Sequence, residues 1–395
     1  MKKKYSLKTV IALMLVASAL TWSAFVIIIG YPFGAFSGRA DRVRDFAALL
    51  MRIDELFIGE YDDAEISDAA MRATVDALDD NWSFYMPPEE YKQHLDSIGN
   101  RYDGIGITVA SDGETGAFRV VQVFSDSAAE TAGLIPGDLI IAVDGASVAG
   151  LTTDELRIML FRPIGDTAEL SVERADVGTL FLTVAYSVVF IDPVSYEMLD
   201  GSIGYVDISN FNEGTSGSFV SAVENLLEQG ASALIFDVRG NPGGFVTEVT
   251  GMLDYLLPEG EIFVMVDRNG NETITMSGPE EIDVPAVVLV DRFSFSAAEY
   301  FAAILSEYGR AEIVGEQTTG KSRMQKTVVL PGGGALHISF AQYLTKNRVS
   351  LHDTGGILPD HQAVLTDDEL ALYFSGSLEK EHDPQLQKAI SVLQT

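Results

Sequence analysis

The sequence contains no cysteine in its 395 residues. This absence excludes disulfides, thiolate metal sites and a cysteine nucleophile in one step. It leaves the compartment open, because an exported protein can do without disulfides. Histidine is scarce as well, and the five histidines lack the sequence context of a catalytic or zinc-binding residue, so we expect surface or core roles for them: His94, His337, His352, His361 and His382.

Basic residues are also in short supply. The chain has 26 lysines and arginines against 58 acidic residues, which gives a formal net charge of -32. A surface of this sign repels phosphate backbones, so we do not expect nucleic acid as a partner. The hydrophobic content of 47% is that of a globular protein, and the length allows two or three domains with packed cores.

The N-terminal segment, residues 1–36, combines positive charge with a long apolar run. An uncharged stretch from Val10 to Ile29 follows four lysines: Lys2, Lys3, Lys4 and Lys8. A helix of that length, at about 1.5 Å per residue, would span a hydrocarbon core of roughly 30 Å. The charge places the preceding residues in the cytoplasm, so we predict a single-pass anchor in the cell membrane.

A cleaved signal peptide is the alternative to this anchor, with Ala17-Ser18-Ala19 as its cleavage site. The apolar run continues past that site through residues 25–29, which favours an uncleaved anchor. Both interpretations place the remaining chain outside the cytoplasm.

Behind the anchor, the residue patterns divide the chain into four further regions. Helical periodicity is typical of residues 37–100, and short strands with two helices are typical of residues 101–176. Residues 177–370 alternate strands and helices, and residues 371–395 form a predicted C-terminal helical segment. The sequence therefore predicts a multidomain α/β protein.

Residues 101–176 resemble a PDZ domain of the kind found in bacterial proteases. The resemblance rests on Ala132-Gly133-Leu134-x-Pro136-Gly137-Asp138-x-Ile140 and Val143-Asp144-Gly145. Such a domain adds an extended peptide tail to its sheet edge, and backbone N–H groups of a glycine-containing loop hold the terminal carboxylate. Gly104-Ile105-Gly106-Ile107 would be that loop. A simple tight turn is the alternative, but the downstream match in register favours the loop.

Two strand-to-helix junctions stand out in the predicted α/β core. The strand 233–238 leads into Arg239-Gly240-Asn241-Pro242-Gly243-Gly244, and the strand 286–290 leads into Ser296. Ligands of α/β proteins bind at such junctions. A serine hydroxyl attacks a carbonyl when a base takes its proton and donors stabilise the oxyanion. With no catalytic histidine in sight, Lys321 is the candidate base, since its apolar surroundings permit the burial that keeps a lysine neutral.

Four motifs in order resemble the carboxyl-terminal processing, or tail-specific, serine peptidase family. They are Asp237-x-Arg239-x-Asn241-Pro242-Gly243-Gly244, Phe293-Ser294-Phe295-Ser296-Ala297-Ala298-Glu299, Gly315-Glu316-x-Thr318-x-Gly320-Lys321-x-x-x-Gln325 and Gly355-Gly356-Ile357-x-Pro359-Asp360. The likeness extends from about Asp79 to nearly the C-terminus. It implies a peptidase core built from a crotonase-like βα repeat, with neither cofactor nor metal.

The resemblance also implies individual roles. Ser296 would be the nucleophile, Lys321 the general base 25 positions later, and Gln325 the residue that orients the lysine. The backbone N–H groups expected to bind the oxyanion belong to Ala297 and to Gly243 or Gly244. Two alternatives stay open at this point: Ser296 and Glu299 also form a helix capping box, and Ser294 is a nearby serine.

Taken together, the sequence predicts a membrane-anchored, extracytoplasmic serine endopeptidase that recognises C-terminal tails and uses a Ser-Lys pair. Its expected partners are proteins with accessible C-terminal tails and the membrane, and a homo-oligomer is an open alternative. The alternative function is a PDZ-type binding or scaffold protein with an inactive or latent core. Departures from the family pattern at Phe295 and Arg162 are expected to affect the substrate pocket and any switch role of the arginine.

Overall fold

The computed structural model describes residues 40–113 and 115–394, so the predicted anchor in residues 1–36 lies outside the described residues. None of the helices in these two ranges has the length and apolar character that a bilayer crossing requires. The chain separates into two compact units, residues 1–70 and 71–395. The PDZ-like region and the α/β core belong to the second unit.

Helices dominate the described chain before residue 100. They are α1 (Ala40–Leu56), α2 (Asp63–Asp76) and α3 (Pro88–Ile98). A short strand, β1 (Phe84–Met86), separates α2 from α3 and pairs antiparallel with residues 335–337. The sequence did not indicate this strand, because three residues carry too little periodicity to be recognised. Its pairing brings the preceding Asp79–Ser83 turn onto the α/β core.

The PDZ-like region forms an antiparallel sheet around its own core. The sheet has the order β3-β4-β5-β7-β8, and β6 pairs with β5. The elements are β3 (Ile107–Ser111), β4 (Phe118–Val123), α4 (Ala128–Thr131), β5 (Leu139–Val143), β6 (Ala146–Ser147), α5 (Thr153–Met159), β7 (Thr167–Arg174) and β8 (Gly178–Ala185). Strand β8 pairs with β7 over its full length, so the sheet continues beyond residue 176.

Two antiparallel strands join the PDZ-like region to the α/β core. They are β2 (Arg101–Gly104), where the chain enters the region, and β9 (Ser187–Phe190), where it leaves. Beside them, the backbone N–H of Ile191 donates to the Asn100 carbonyl at 2.8 Å. The Asn100 side-chain amide in turn donates to the Glu213 carbonyl at 3.1 Å. The link is therefore fixed to the core at Asn100.

A six-stranded sheet with the order β10-β11-β12-β15-β16-β19 organises the α/β core. Its strands are β10 (Val194–Leu199), β11 (Ile203–Ile208), β12 (Ala233–Asp237), β15 (Ala286–Val290), β16 (Ala311–Gly315) and β19 (His361–Gln362). Strand β10 is antiparallel to β11, and the other pairs are parallel. Helices follow β11, β12 and β15: α6 (Thr215–Glu228), α7 (Val246–Leu256) and α8 (Ala297–Glu307). Strands β12 and β15 are almost entirely buried, which accounts for their continuous apolar sequence.

A second, antiparallel sheet packs beside the first. It has the order β1-β18-β13-β14, with β17 also paired to β18. Its strands, in addition to β1, are β13 (Glu261–Asp267), β14 (Glu272–Met276), β17 (Arg323–Val329) and β18 (Ala335–Leu344). Strand β17 begins two residues after Lys321, and its register against β18 shifts between Met324 and Gln325.

The C-terminal segment is tied to the core by a buried arginine. It contains α9 (Asp367–Phe374), a 3-10 turn (Lys380–His382) and α10 (Pro384–Leu393). Arg239, 4% exposed, pairs with Asp383 at 2.9 Å and donates to Gln385 Oε1 at 2.9 Å. Its Nε also donates to Asp237 Oδ1 at 2.9 Å. Because Arg239 begins the Asn-Pro-Gly-Gly turn, α10 is anchored next to that turn.

Candidate active site

Ser296 occupies the junction between β15 and α8, where it is the residue that precedes the first helical turn. Its backbone has φ 60° and ψ -120°, which is the left-handed side of the map where a residue with a side chain is strained. The side chain is half-buried. At this junction the Ala297 N–H has no hydrogen-bond partner among the described residues, whereas the Ala298 N–H donates to the Phe295 carbonyl at 3.3 Å.

The Asn-Pro-Gly-Gly turn lies directly against this serine. A Cβ atom on Gly243 would stand 2.7 Å from the Ser296 Cβ and 2.8 Å from the Ala297 nitrogen. Gly243 also has φ +88°, so two independent reasons require glycine there. Asn241 holds the turn, because its Oδ1 accepts from the Gly243 N–H at 2.8 Å and its Nδ2 donates to the Ile208 carbonyl at 2.6 Å.

The backbone N–H groups expected to bind an oxyanion are that of Ala297 and that of Gly243 or Gly244, and the structure distinguishes the two glycines. The Gly243 N–H is committed to Asn241. Within the described residues, the N–H groups of Ala297 and Gly244 have no hydrogen-bond partner. The donor pair that remains available beside Ser296 therefore consists of Ala297 and Gly244, of which Gly244 lies on an exposed stretch of the turn.

Lys321 is a buried lysine, with 9% of its surface exposed. Burial lowers the pKa of its ammonium from 10.5 to about 8, against the opposing effect of the Asp80 and Glu299 carboxylates. Its Nζ lies 4.4 Å from the centre of the Trp82 ring and 5.9 Å from that of Phe295. The Lys321 amine thus has a lowered pKa and lies over the face of the Trp82 indole ring.

Glu299 connects the serine and lysine segments. Its fully buried carboxylate accepts four hydrogen bonds, from the N–H groups of Ser296 at 3.0 Å, Gly320 at 2.7 Å and Lys321 at 2.9 Å and from the Thr318 hydroxyl at 2.5 Å. Burial raises the pKa of this carboxyl, and the four donors oppose the rise. The sequence marked Glu299 as half of a capping box, but its bonds to Gly320 and Lys321 cross the fold and had no sequence signal.

The Asp79–Ser83 turn covers the lysine from the side. Trp82 packs on Phe295 with ring centres 5.7 Å apart. Asp80 pairs with Arg323 at 2.9 Å, and the Ser83 hydroxyl accepts from the Ser339 N–H at 3.0 Å. Phe295, which departs from the family pattern, therefore forms part of an aromatic wall around Lys321. The contribution of Trp82 was missed from the sequence, because it depends on the pairing of β1 with β18.

The PDZ-like region carries a groove between β3 and α5. The groove is a cavity of about 780 Å³, and its lining includes Gly104, Ile105, Ile107, Leu156 and Leu160. Three of the four predicted loop residues thus line it. Gly106 lies between them with φ +88°, and a Cβ there would collide with Ser127. The loop therefore sits at an apolar groove of a size suited to a peptide end.

Comparison with known proteins identifies the family. The model of Peptidase family S41 matches residues 202–363, and the PDZ domain model matches residues 93–173. The carboxyl-terminal-processing protease of Synechocystis is 30% identical over 332 residues, which cover 82% of this chain and 76% of that protein. The chain belongs to the carboxyl-terminal processing peptidases. Members of this family are serine endopeptidases.

Two further comparisons agree with this assignment. The carboxy-terminal processing protease CtpA of Bacillus subtilis is 32% identical over 308 residues, which cover 78% of this chain and 66% of that protein. A solved S41 protease structure from Bacteroides fragilis superposes with a TM-score of 0.54 at 18% identity, covering 82% of this chain and 90% of the other. The latter shows a shared fold. The predicted family and the PDZ-containing α/β architecture are confirmed.

In this carboxyl-terminal processing peptidase, Ser294 has a structural role, because its side chain is buried and hydrogen-bonded. It is fully buried, its hydroxyl donates to the Val238 carbonyl at 2.7 Å, and its oxygen accepts from the Asp291 N–H at 3.0 Å. A hydroxyl committed in this way is unsuited to attack a substrate. Ser296 is the serine that faces the Gly243 turn.

Gln325 has hydrogen-bond partners other than the lysine. Its amide donates to the Arg323 carbonyl at 2.9 Å and to the Ser339 hydroxyl at 3.0 Å. Lys321 precedes β17, and the strand register shifts between Met324 and Gln325, so strand alternation does not fix the relative direction of the two side chains. The orienting role of Gln325 stays a prediction.

Arg162, the other departure from the family pattern, serves the PDZ domain itself. It pairs with Asp144, and its guanidinium donates to the Thr167 carbonyl at 2.7 Å. These contacts hold the turn after β5 to the start of β7.

Proposed function

We propose that the chain is a membrane-anchored, extracytoplasmic peptidase that captures protein C-terminal tails in its PDZ domain and cleaves through Ser296 with Lys321 as base. The observation that carries the catalytic part is the Glu299 carboxylate, which holds the backbones of Ser296 and Lys321 in one buried site. Support for tail capture comes from the apolar groove with its glycine loop.

The catalytic step depends on the protonation state of Lys321. Neutral Lys321 accepts the Ser296 hydroxyl proton as Oγ bonds to the substrate carbonyl carbon, and the N–H groups of Ala297 and Gly244 bind the developing oxyanion. The protonated lysine then gives its proton to the leaving amine as the C–N bond breaks. Water attacks the resulting ester and gives a proton to Lys321. The protonated lysine returns this proton to Ser296 Oγ as the ester C–O bond breaks, and the product leaves as a carboxylic acid that ionises in water.

The pKa of about 8 makes this role feasible at physiological pH. A lysine with its ordinary pKa of 10.5 would be neutral in well under 1% of molecules at pH 7, whereas a pKa of about 8 leaves about a tenth neutral. Proton transfer by a positioned base typically contributes 10²–10⁴-fold to a rate. The burial of Lys321 is therefore the main electrostatic preparation of the site.

Cleavage of an unstructured protein with a free C-terminal tail tests the catalytic part. We expect Ser296→Ala and Lys321→Ala to abolish cleavage, while Ser294→Ala retains most of it. Wild-type rates in either of the first two variants would show that the residues have other roles. Circular dichroism of each variant checks that the fold is intact.

A latent core with PDZ binding as its resting function is the second candidate. It is favoured by the absence, within the described residues, of a hydrogen bond between Ser296 Oγ and Lys321 Nζ, and by the stacking of Nζ on Trp82. A serine-reactive covalent probe distinguishes the two candidates. Labelling of Ser296 without substrate supports the peptidase, and peptide binding without any labelling supports the latent form.

The location outside the cytoplasm is part of the proposal and rests on Val10–Ile29 and the preceding lysines. Alkaline phosphatase, which is active only after export, can be fused behind residue 60 of the full chain. Active fusions that sediment with membranes support the anchor, active fusions in the medium support a cleaved signal, and inactive fusions contradict export.

Sedimentation of the purified protein under native conditions tests the homo-oligomer.

A further inference from the structure

Asp291 is a buried carboxyl group directly after β15 that takes no part in the proton transfers between Ser296 and Lys321. Its exposed fraction is 2%. Burial of a carboxyl group costs free energy unless hydrogen bonds compensate for the lost water. The hydrogen-bond partners of Asp291 therefore show what the group does in the fold.

One oxygen of this carboxyl group joins two separate segments. Asp291 Oδ1 accepts from the Phe293 N–H at 2.9 Å and from the Gly240 N–H at 2.9 Å. The first bond is a local turn that leads the chain from β15 toward Ser296. The second reaches the turn after the neighbouring strand β12, where Gly243 lies against Ser296. Oδ1 thus ties the serine junction to the Asn-Pro-Gly-Gly turn.

A second hydrogen bond joins the same two segments at another point. The Phe295 N–H donates to the Asn241 carbonyl at 3.1 Å. One bond between two turns leaves them free to rotate about it, whereas two bonds at separate points fix their relative orientation. Loss of the Asp291 bond would therefore let the turn that carries the Gly244 N–H rotate against Ser296.

We propose that Asp291 is a positioning residue for the nucleophile: through Oδ1 it sets the geometry between Ser296 and the Gly244 N–H. The inference rests on the proposed role of Ser296 as the nucleophile. An oxyanion donor is effective only within hydrogen-bond distance of the oxygen that becomes charged in the transition state. Asp291 is buried and does not line the PDZ groove, so its loss should lower kcat and leave KM nearly unchanged.

Only one oxygen of Asp291 is needed for this role. Oδ2 is buried and, within the described residues, has no hydrogen-bond partner. Burial raises the pKa of the Asp291 carboxyl, against the hydrogen bonds from Gly240 and Phe293. In Asp291→Asn, the amide oxygen keeps the place of Oδ1, because the reverse orientation would turn the NH2 group toward two N–H donors. Asparagine should therefore replace aspartate, and alanine should not.

The test compares variants of the full-length protein in the cleavage of an unstructured protein with a free C-terminal tail. Asp291→Ala should lower kcat about tenfold or more and change KM by less than about twofold. Asp291→Asn should keep kcat within about threefold of the wild type and leave the midpoint of the pH profile in place. Asp291→Ser retains an oxygen for the local bond to Phe293 but is one bond too short for Gly240, so it should lose activity as Asp291→Ala does. The serine variant decides the question if Asp291→Ala does not fold.

Asp192→Ala is the matched control, since the exposed Asp192 makes the same kind of turn bond, to the Val194 N–H at 3.0 Å, outside both junctions. It should leave kcat unchanged. If Ser296→Ala retains activity, the proposed nucleophile is wrong.

If Ser296→Ala is inactive, the proposed nucleophile stands, and three results would each overturn the positioning role. They are a wild-type kcat in folded Asp291→Ala or Asp291→Ser, a change in KM alone, and a folded Asp291→Asn that is as inactive as the alanine variant. Circular dichroism identifies the variants that are folded.

Discussion

Gly243 lies against Ser296 so closely that a Cβ atom on the glycine would stand 2.7 Å from the Cβ of the serine. The Asn-Pro-Gly-Gly turn and the serine junction belong to neighbouring parallel strands, β12 and β15, whose carboxyl ends meet at one edge of the sheet. Contact between Gly243 and Ser296 is thus a product of the sheet order. It makes the turn part of the wall that positions the nucleophile.

Replacement of this glycine is expected to inactivate the enzyme. In Gly243→Ala, the methyl group collides with the Ser296 Cβ and the Ala297 nitrogen, so the hydroxyl and an oxyanion donor both move. We expect kcat/KM to fall on the order of a hundredfold or more, as after loss of an oxyanion donor. Gly217→Ala, in α6 with open space around it, is the control and should keep full activity. Near wild-type turnover in Gly243→Ala would contradict the arrangement.

The Glu299 carboxylate is expected to act on the rate mainly by holding the backbones of Ser296 and Lys321 in position. In Glu299→Gln, one oxygen becomes an NH2 group, which cannot accept from the backbone N–H groups it faces, so at least one of the four hydrogen bonds is lost. We expect kcat to fall at least tenfold with little change in KM, because the groove is untouched. Glu369→Gln, in the exposed capping box of α9, is the control. A change confined to KM would point to substrate contact by Glu299.

Activity is expected to rise with pH through the pKa of Lys321. The neutral amine is the base, so kcat/KM should increase with one deprotonation up to about pH 8 and level off above it. His337 does not interfere, because burial lowers its pKa to about 4 and the ring is neutral throughout this range. Initial rates between pH 6 and pH 10 check the profile. A flat profile would exclude a lysine base.

Trp82 is expected to influence the midpoint pH of the activity profile. In Trp82→Leu, water reaches Lys321, and the burial that lowers its pKa from 10.5 to about 8 is partly relieved. Loss of the ring also removes a cation–π contact of about 1–2 kcal/mol, which acts the other way and is the smaller effect. The midpoint should therefore move from about 8 toward 10.5. Phe340→Leu, which removes a ring beside the exposed Lys326, is the control and should leave the midpoint of the pH profile unchanged. A midpoint at lower pH in Trp82→Leu would contradict burial as the cause of the low Lys321 pKa.

The buried lysine is expected to cost stability. Its pKa is about 8 in the folded chain and 10.5 when unfolded, so folding disfavours the charged form and the penalty is fully present below pH 8. Lys321→Met should raise the free energy of unfolding by about 3 kcal/mol at pH 7. The gain should shrink between pH 8 and pH 10.5. Urea denaturation at pH 7 and pH 10 measures it, with the exposed Lys326→Met as control; an equal gain at both pH values would contradict the linkage.

Patterns that are local in sequence allowed the fold to be predicted, and contacts between distant segments limited what could be predicted of the site. Strand β15 has the predicted bounds, because an apolar run ending in a polar turn is a strong local signal. The motifs placed Ser296, Lys321 and the Gly243 turn in one site. They could not show that Asn241 occupies the Gly243 N–H, or that Trp82 covers the lysine, since neither contact follows from spacing.

The hydrogen bond between Ile191 and Asn100 shows that the chain leaves the peptidase core and returns to it at a single point. Topologically, the PDZ domain is therefore an insertion into a surface loop of the core, and neither sheet of the core passes through it. Such an arrangement makes the recognition domain exchangeable. Another peptide-binding domain whose two ends lie side by side could replace it at Asn100 and Ile191. The peptidase core would then act on a different set of protein substrates.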